Sequence, residues 1–133
     1  MICECNLTVR TYECDSYGHV NNAVYLNYLE YARGEFLKDV GFDYFAAVKA
    51  GYGIYVARVE IDYVRAALAN DKLLIKSRSI KKGAVSGVIA QDILRGDEII
   101  AKAKVTWAFV DSKGQPKKIP PEWDRPGLKP ENG

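Results

Sequence analysis

The sequence predicts an α+β domain in which one five-stranded antiparallel sheet wraps around a long central helix. Three observations predict it. Residues 23–40 carry apolar side chains at helical spacing and form the one long stretch that does so. A single alternating segment precedes that stretch, and four segments rich in β-branched and aromatic residues follow it. Short turn signals separate those four. A chain of 133 residues has the size of one domain, spanning 1–133, and buries roughly two-thirds of its unfolded surface, enough for a core without staples.

Taken in order, residues 6–12 (NLTVRTY) alternate apolar and polar, a strand with Leu7 and Val9 on one face. Residues 13–22 hold Asp, Ser, Gly and Asn and read as a loop. Asn21 or Asn22 is a natural cap for the helix that follows. Its apolar stripe is Tyr25, Leu29, Ala32, Phe36 and Val40, widened by Leu26 and Tyr28, and Gly41 supplies the usual stop. A helix over 23–40 is ~27 Å long, enough to cross a sheet. Residues 42–50 suit a short second helix before a Gly-rich turn. Strands then fall at 54–64, 73–80, 84–94 and 98–110, separated by Asn70-Asp71, Lys81-Lys82-Gly83 and Arg95-Gly96-Asp97. Joined by three short turns, these four should form an antiparallel meander, with the first strand added to the same sheet. All five prolines lie in residues 115–133, which read as an irregular, frayed tail.

Composition excludes several classes. A net charge of +2 without a long basic run argues against nucleic acid. No apolar run reaches the ~20 residues of a membrane span, and the first ten residues lack the pattern of a secretion signal. A cytoplasmic location and no membrane partner are the expectations. Cys3, Cys5 and Cys14 are odd in number, and Cys3 and Cys5 share one strand face, so reduced thiols are expected.

The chemistry concentrates in residues 15–25. Asp15, the turn at Gly18 and the chain's single histidine, His19, lie just before a helix N-terminus. Such an end offers unpaired N–H groups and partial positive charge. A carboxylate facing it can act as base or nucleophile while the N–H groups of Asn22 and Ala23 hold an oxyanion. Against this stands the ordinary use of a loop aspartate as a turn-maker. His19 is either a proton carrier or a turn residue. Cys14 beside His19 suggests a thiol nucleophile, but Cys14 and Asp15 should face opposite ways, and the cysteine spacing fits no common zinc pattern, so no metal is expected. Glu30 and Arg33 are spaced to pair on the helix surface. Lys81 and Lys82, with Arg78 nearby, are either a solvated turn or a clamp for phosphates.

Residues 15–26 (DSYGHVNNAVYL), with Glu30-Tyr31-Ala32-Arg33 behind them, resemble the active-site motif of the hotdog-fold thioesterases of the 4-hydroxybenzoyl-CoA thioesterase-like branch. Residues 59–65 (VEIDYVR) and 70–73 (NDKL) are similar to that family's second strand and following turn. The resemblance runs over about residues 7–113. It implies the hotdog fold, dimers joined edge to edge and often paired into tetramers, and an active site at the dimer interface. It places the catalytic carboxylate on Asp15 and the oxyanion-binding backbone N–H at Asn22. His19, Asn21 and Tyr25 would shape the site, and Lys81 and Lys82 from the neighbouring subunit would hold coenzyme A phosphates. The implied activity is hydrolysis of a fatty acyl-CoA to free acid and coenzyme A, with no separate cofactor, since coenzyme A is part of the substrate. An acyl-carrier-protein substrate, a dehydratase or hydratase on the same fold, and a non-catalytic acyl-ligand binder are the alternatives.

Overall fold

The computed structural model describes residues 1–131. Five strands, β1 (Cys3–Thr8), β2 (Tyr52–Tyr63), β3 (Lys72–Lys82), β4 (Ser86–Arg95) and β5 (Glu98–Asp111), accompany a long helix α1 (Val24–Asp39) and a short helix α2 (Tyr44–Lys49). All strand pairs are antiparallel, in the order β1-β3-β4-β5-β2. The α+β class, the five strands and the helix packed on the sheet are as the sequence predicts.

The meander is only partly realised. β3, β4 and β5 follow one another, but β2 pairs with β5 at the far edge instead of with β3. Residues 64–71 are therefore a crossover between opposite sides of β4 and β5. Three strand spacings need ~14 Å, and eight extended residues reach ~27 Å, so the span is easy to cover. Ala67 is buried within this segment, and Arg95 fastens it by bonding the Ala66 carbonyl and the Asp71 carboxylate. The first strand lies earlier than expected. It ends at Thr8, and residues Thr11–Glu13 form a 3-10 turn in which the Glu13 carboxylate accepts the Arg10 N–H at 2.7 Å. Lys81 and Lys82 belong to β3 rather than to the turn after it.

Register is pinned on both faces. On the solvent side one row crosses all five strands with alternating charge: Glu4, Lys76, Asp92, Lys102 and Asp62. Sliding any one strand by one residue would turn its apolar set outward, and the charge row adds cross-strand pairs of opposite sign in the observed register. The inner face holds α1. Tyr25, Tyr28, Leu29, Ala32 and Phe36 are buried as the stripe predicts, but Leu26 is exposed. The helix ends in a Schellman arrangement: Gly41, at φ +79°, donates to the Lys38 carbonyl, and Phe42 donates to Leu37.

The core divides into two apolar clusters along α1. One gathers Tyr25, Tyr28, Leu29 and Ala32 with Leu73, Ile75, Ile93 and Ile100. The other gathers Phe36, Val40 and Phe42 with Ile89, Trp107, Phe109, Ile119 and Leu128. A polar belt lies between them. Gln91, fully buried, donates to the Leu29 carbonyl and to Ser77 Oγ, each at 3.0 Å, and accepts from Arg33 Nη1 at 3.1 Å. Each buried amide atom is thus satisfied, which removes the cost of placing it in the core.

Within 115–131 the chain forms a 3-10 turn at Pro126–Leu128 and packs on the core rather than fraying. Ile119 and Leu128 are buried, Ser79 Oγ donates to the Leu128 carbonyl at 2.6 Å, and Trp123 tilts against Phe42. Truncating a fully buried leucine costs about 2–4 kcal/mol. Leu128→Ala should lower stability by that amount in urea denaturation; a change within about 0.5 kcal/mol, the range of surface substitutions, would show that the tail is not part of the core.

Candidate active site

The loop before α1 is built by Asp15. Its N–H donates to the His19 carbonyl at 2.8 Å, and its carbonyl accepts from Gly18 at 3.0 Å. Gly18 has φ +79°, which closes this turn without strain. The carboxylate oxygen Oδ1 accepts from the N–H groups of Tyr17 at 2.9 Å and His19 at 3.2 Å. Oδ2 has no hydrogen-bond partner among the described residues. Asp15 is therefore a turn-maker and an oriented, solvent-facing carboxylate at once. A Cys14–Val20 bridge closes the loop, which is tied to Glu13 through Asn21 N–H and to the crossover through Val20 N–H and a His19–Leu68 bridge.

The other expected residues divide. His19 is exposed, and its imidazole bonds to nothing among the described residues. Asn21 Oδ1 accepts the Ala23 N–H at 2.9 Å, a bond within the loop three positions before the first helical residue, Val24, while the cap position itself, Ala23, has no polar side chain to bond with. Ala23 is thereby removed as an oxyanion donor. The Asn21 carbonyl accepts from Val24 at 2.9 Å, and the Asn22 carbonyl accepts from Tyr63 Oη at 2.9 Å. What remains is the Asn22 N–H, which has no partner among the described residues. Tyr25 is buried, and its hydroxyl accepts the Ala67 N–H at 2.9 Å. Lys82 is not free for a phosphate either, because its ammonium lies 3.1 Å from Asp124 and is almost fully buried. Lys81 is exposed and makes no ion pair among the described residues.

Arg33 forms no ion pair with Glu30 among the described residues; it turns inward to Gln91. The cysteines are free thiols. Cys14 packs against the core, away from the exposed Asp15. Burial pushes the Cys3 thiol up to about 11, helped by a hydrogen bond with Asp39. Among the described residues no group of three or more His, Cys, Asp or Glu could hold a metal, and no helix is long and apolar enough to cross a membrane.

Sequence reasoning missed the tyrosines around the loop. Tyr63 reaches the Asn22 carbonyl from the end of β2. Tyr28 donates to Glu13 Oε1 at 2.9 Å, and Tyr25 packs edge-on against both. The signal present in the sequence was Tyr63 within VEIDYVR, with nothing local to name its partner. Farther along α1 lies an apolar groove of about 640 Å³. Arg33, Gly34 and Leu37, the α2 residues Tyr44 and Phe45, and Ile54, Val56 and Trp107 line it. It starts ~9 Å and ends ~20 Å along the helix from Val24.

A sequence model of the thioesterase-like superfamily matches residues 9–126. The chloroplastic acyl-acyl carrier protein thioesterase ATL3 of Arabidopsis thaliana is 32% identical over 125 residues, covering 88% of this chain and 63% of that protein. The chain thus spans less than two-thirds of that plant relative. The long-chain acyl-CoA thioesterase FadM of Escherichia coli K12 is 35% identical over 112 residues, covering 82% of this chain and 83% of that protein. The crystal structure of a probable thioesterase from Bartonella henselae superimposes with a TM-score of 0.84 at 29% identity, over 90% of this chain and 100% of that one.

Glu13 anchors the loop electrostatically. Burial alone would raise its carboxyl, but bonds from the Arg10 N–H, the Tyr28 hydroxyl and the Arg10 guanidinium outweigh it and hold the pKa below the ordinary 4.5. A carboxyl so depressed stabilises the fold at pH values above its unfolded pKa and loses that contribution as pH falls through the lower folded value. Denaturation of the wild type from pH 7 to pH 3 should therefore show a loss of stability below about pH 4.5 that is smaller in Glu13→Gln. Identical pH profiles for the two proteins would remove Glu13 from this role.

Proposed function

The chain belongs to the thioesterase-like superfamily, and on that premise we propose that it hydrolyses the thioester of a fatty acyl-CoA, releasing the free acid and coenzyme A. One observation carries this reading: Asp15 keeps one carboxylate oxygen locked by two N–H groups, and among the described residues neither its other oxygen nor the Asn22 N–H at the end of the loop has a partner.

In this reading the thioester carbonyl oxygen accepts the Asn22 N–H. The nearby helix end adds positive potential where the oxyanion forms. A donor of this kind is worth about 3 kcal/mol of barrier. Asp15 Oδ2 takes a proton from water as the water oxygen bonds to the carbonyl carbon. The tetrahedral intermediate then collapses, the C–S bond breaks, and the proton held by Asp15 goes to the departing thiolate. In an alternative route Oδ2 bonds to the carbonyl carbon as the C–S bond breaks and coenzyme A departs as its thiolate, leaving a mixed anhydride. The oxygen of a water then bonds to the acyl carbon, the Asp15 carboxylate leaves, and a proton from that water goes to the thiolate. Both routes return Asp15 to its starting state. His19 and Asn21 support the site: Asn21 by holding the Ala23 N–H, His19 as an exposed neighbour across the loop turn.

The acyl chain is assigned to the apolar groove along α1, whose volume suits a ligand of that size. Lys81 is the cation assigned to the coenzyme A phosphates. The protein is expected to act as a homodimer. β2 is a 12-residue edge strand with Tyr55, Val56, Val59 and Tyr63 exposed, a row of backbone groups and apolar side chains suited to pairing with a second copy. Two such dimers could associate further into a tetramer. The similarity to an acyl-acyl carrier protein thioesterase supports a carrier-protein thioester as the second candidate substrate.

Asp15→Asn should lower turnover on the best acyl-CoA by at least about a hundredfold while circular dichroism and melting temperature stay near wild type. Thiol release followed with a thiol reagent across short, medium, long and aromatic acyl-CoAs reads the result. A variant with near wild-type turnover would remove Asp15 from the chemistry. A protein that bound acyl-CoA but released no thiol would be a binder instead.

A further inference from the structure

We propose that Tyr63 is a positioning residue for the oxyanion-binding amide, holding the start of α1 from the edge strand β2; the inference rests on the assignment of that amide to Asn22. The peptide unit joining Asn22 to Ala23 is held at both polar ends. Its carbonyl accepts from Tyr63 Oη at 2.9 Å, and its N–H donates to Asn21 Oδ1 at 2.9 Å. The preceding unit is held at its carbonyl, where Asn21 accepts from Val24 at 2.9 Å. The two planes flanking the Asn22 α-carbon are thus set from both sides, and the Asn22 N–H is the one polar backbone group of the pair left to meet a ligand.

Of these ties, those of Asn21 and Val24 are local. Tyr63 is 41 residues away in sequence and is the last residue of β2, opposite Ala101 of β5. Its ring is fixed in turn. It meets the Tyr25 ring edge-on, with centroids 5.3 Å apart and planes at 69°, and Tyr25 is bolted to the crossover through the Ala67 N–H. The chain of contacts runs from the sheet edge through the phenol to the amide, so a displacement at the end of β2 moves the amide with it. One neutral hydrogen bond contributes only about 1 kcal/mol to global stability, yet a donor displaced by a fraction of an ångström loses much of its value to a transition state.

The test compares wild type, Tyr63→Phe, Asn21→Ala and the double variant on hexadecanoyl-CoA. Tyr63→Phe should lower kcat about tenfold with KM within about twofold, because the amide matters most once charge has formed on the carbonyl oxygen. Since Asn21 and Tyr63 hold one peptide unit, the losses should overlap, the double variant falling short of the product of the two single effects. Wild-type kcat in Tyr63→Phe, a rise in KM alone, or strictly multiplicative losses would overturn the proposal. Amide hydrogen exchange gives a readout independent of activity. The Ala23 amide should exchange about tenfold faster in Tyr63→Phe, and an unchanged rate would equally overturn it. If the wild type releases no thiol, the functional reading of the site fails by itself, and the exchange rate still decides whether Tyr63 holds this peptide.

Discussion

The start of α1 has to be buried and aimed at the same time, and three tyrosine hydroxyls meet both demands. Tyr25 accepts from the crossover at Ala67, Tyr28 donates to Glu13 in the turn after β1, and Tyr63 donates to Asn22 from the sheet edge. A phenol suits this task because it fills core volume with its ring and still carries one polar atom to a distant backbone group. Without these ties the helix would remain amphipathic and would pack, but its first turn would be free to rotate. The loop of Asp15, which ends where that turn begins, would lose its reference frame. The ion cluster of Arg95 with Asp71 and Glu98 extends the same frame by fixing the far end of the crossover.

The middle of the helix has a different constraint. Gln91 interrupts an otherwise apolar strand face, and its amide is fully used by Leu29, Ser77 and Arg33. This belt separates the apolar cluster beneath the Asp15 loop from the one beneath the groove. A buried polar group with a single satisfying geometry favours one register of helix against sheet over others. It also draws Arg33 inward into the groove wall.

Local signals carried much of this structure in the sequence. Periodicity located α1 and its buried stripe, Gly41 its end, and the Asp-Gly-Asn loop its beginning. The family resemblance supplied the fold name and the expectation of thioester chemistry, and both agree with the superfamily match. What was not legible depends on partners far away in sequence. Strand order is not legible because the crossover carries a turn signal at Asn70-Asp71 like any hairpin, while the pairing of β2 with β5 and the burial of Ala67 depend on residues distant in sequence. The Lys82 ion pair is not legible because Asp124 is 42 positions away in sequence, in a tail whose prolines read as irregular and frayed. Tyr25 lies in the motif, and nothing local in the sequence shows that its hydroxyl is used by Ala67. Leu26 fits the stripe by spacing alone and points to solvent.

The proposed chemistry requires Asp15 and the Asn22 N–H to converge on the same thioester carbonyl. A crystal structure of the protein with a non-hydrolysable ketone analogue of a long-chain acyl-CoA measures it directly. The ketone oxygen should lie ~3 Å from the Asn22 nitrogen, with Asp15 Oδ2 facing the carbonyl carbon directly or through one water. An analogue bound with its carbonyl away from both groups would contradict the account.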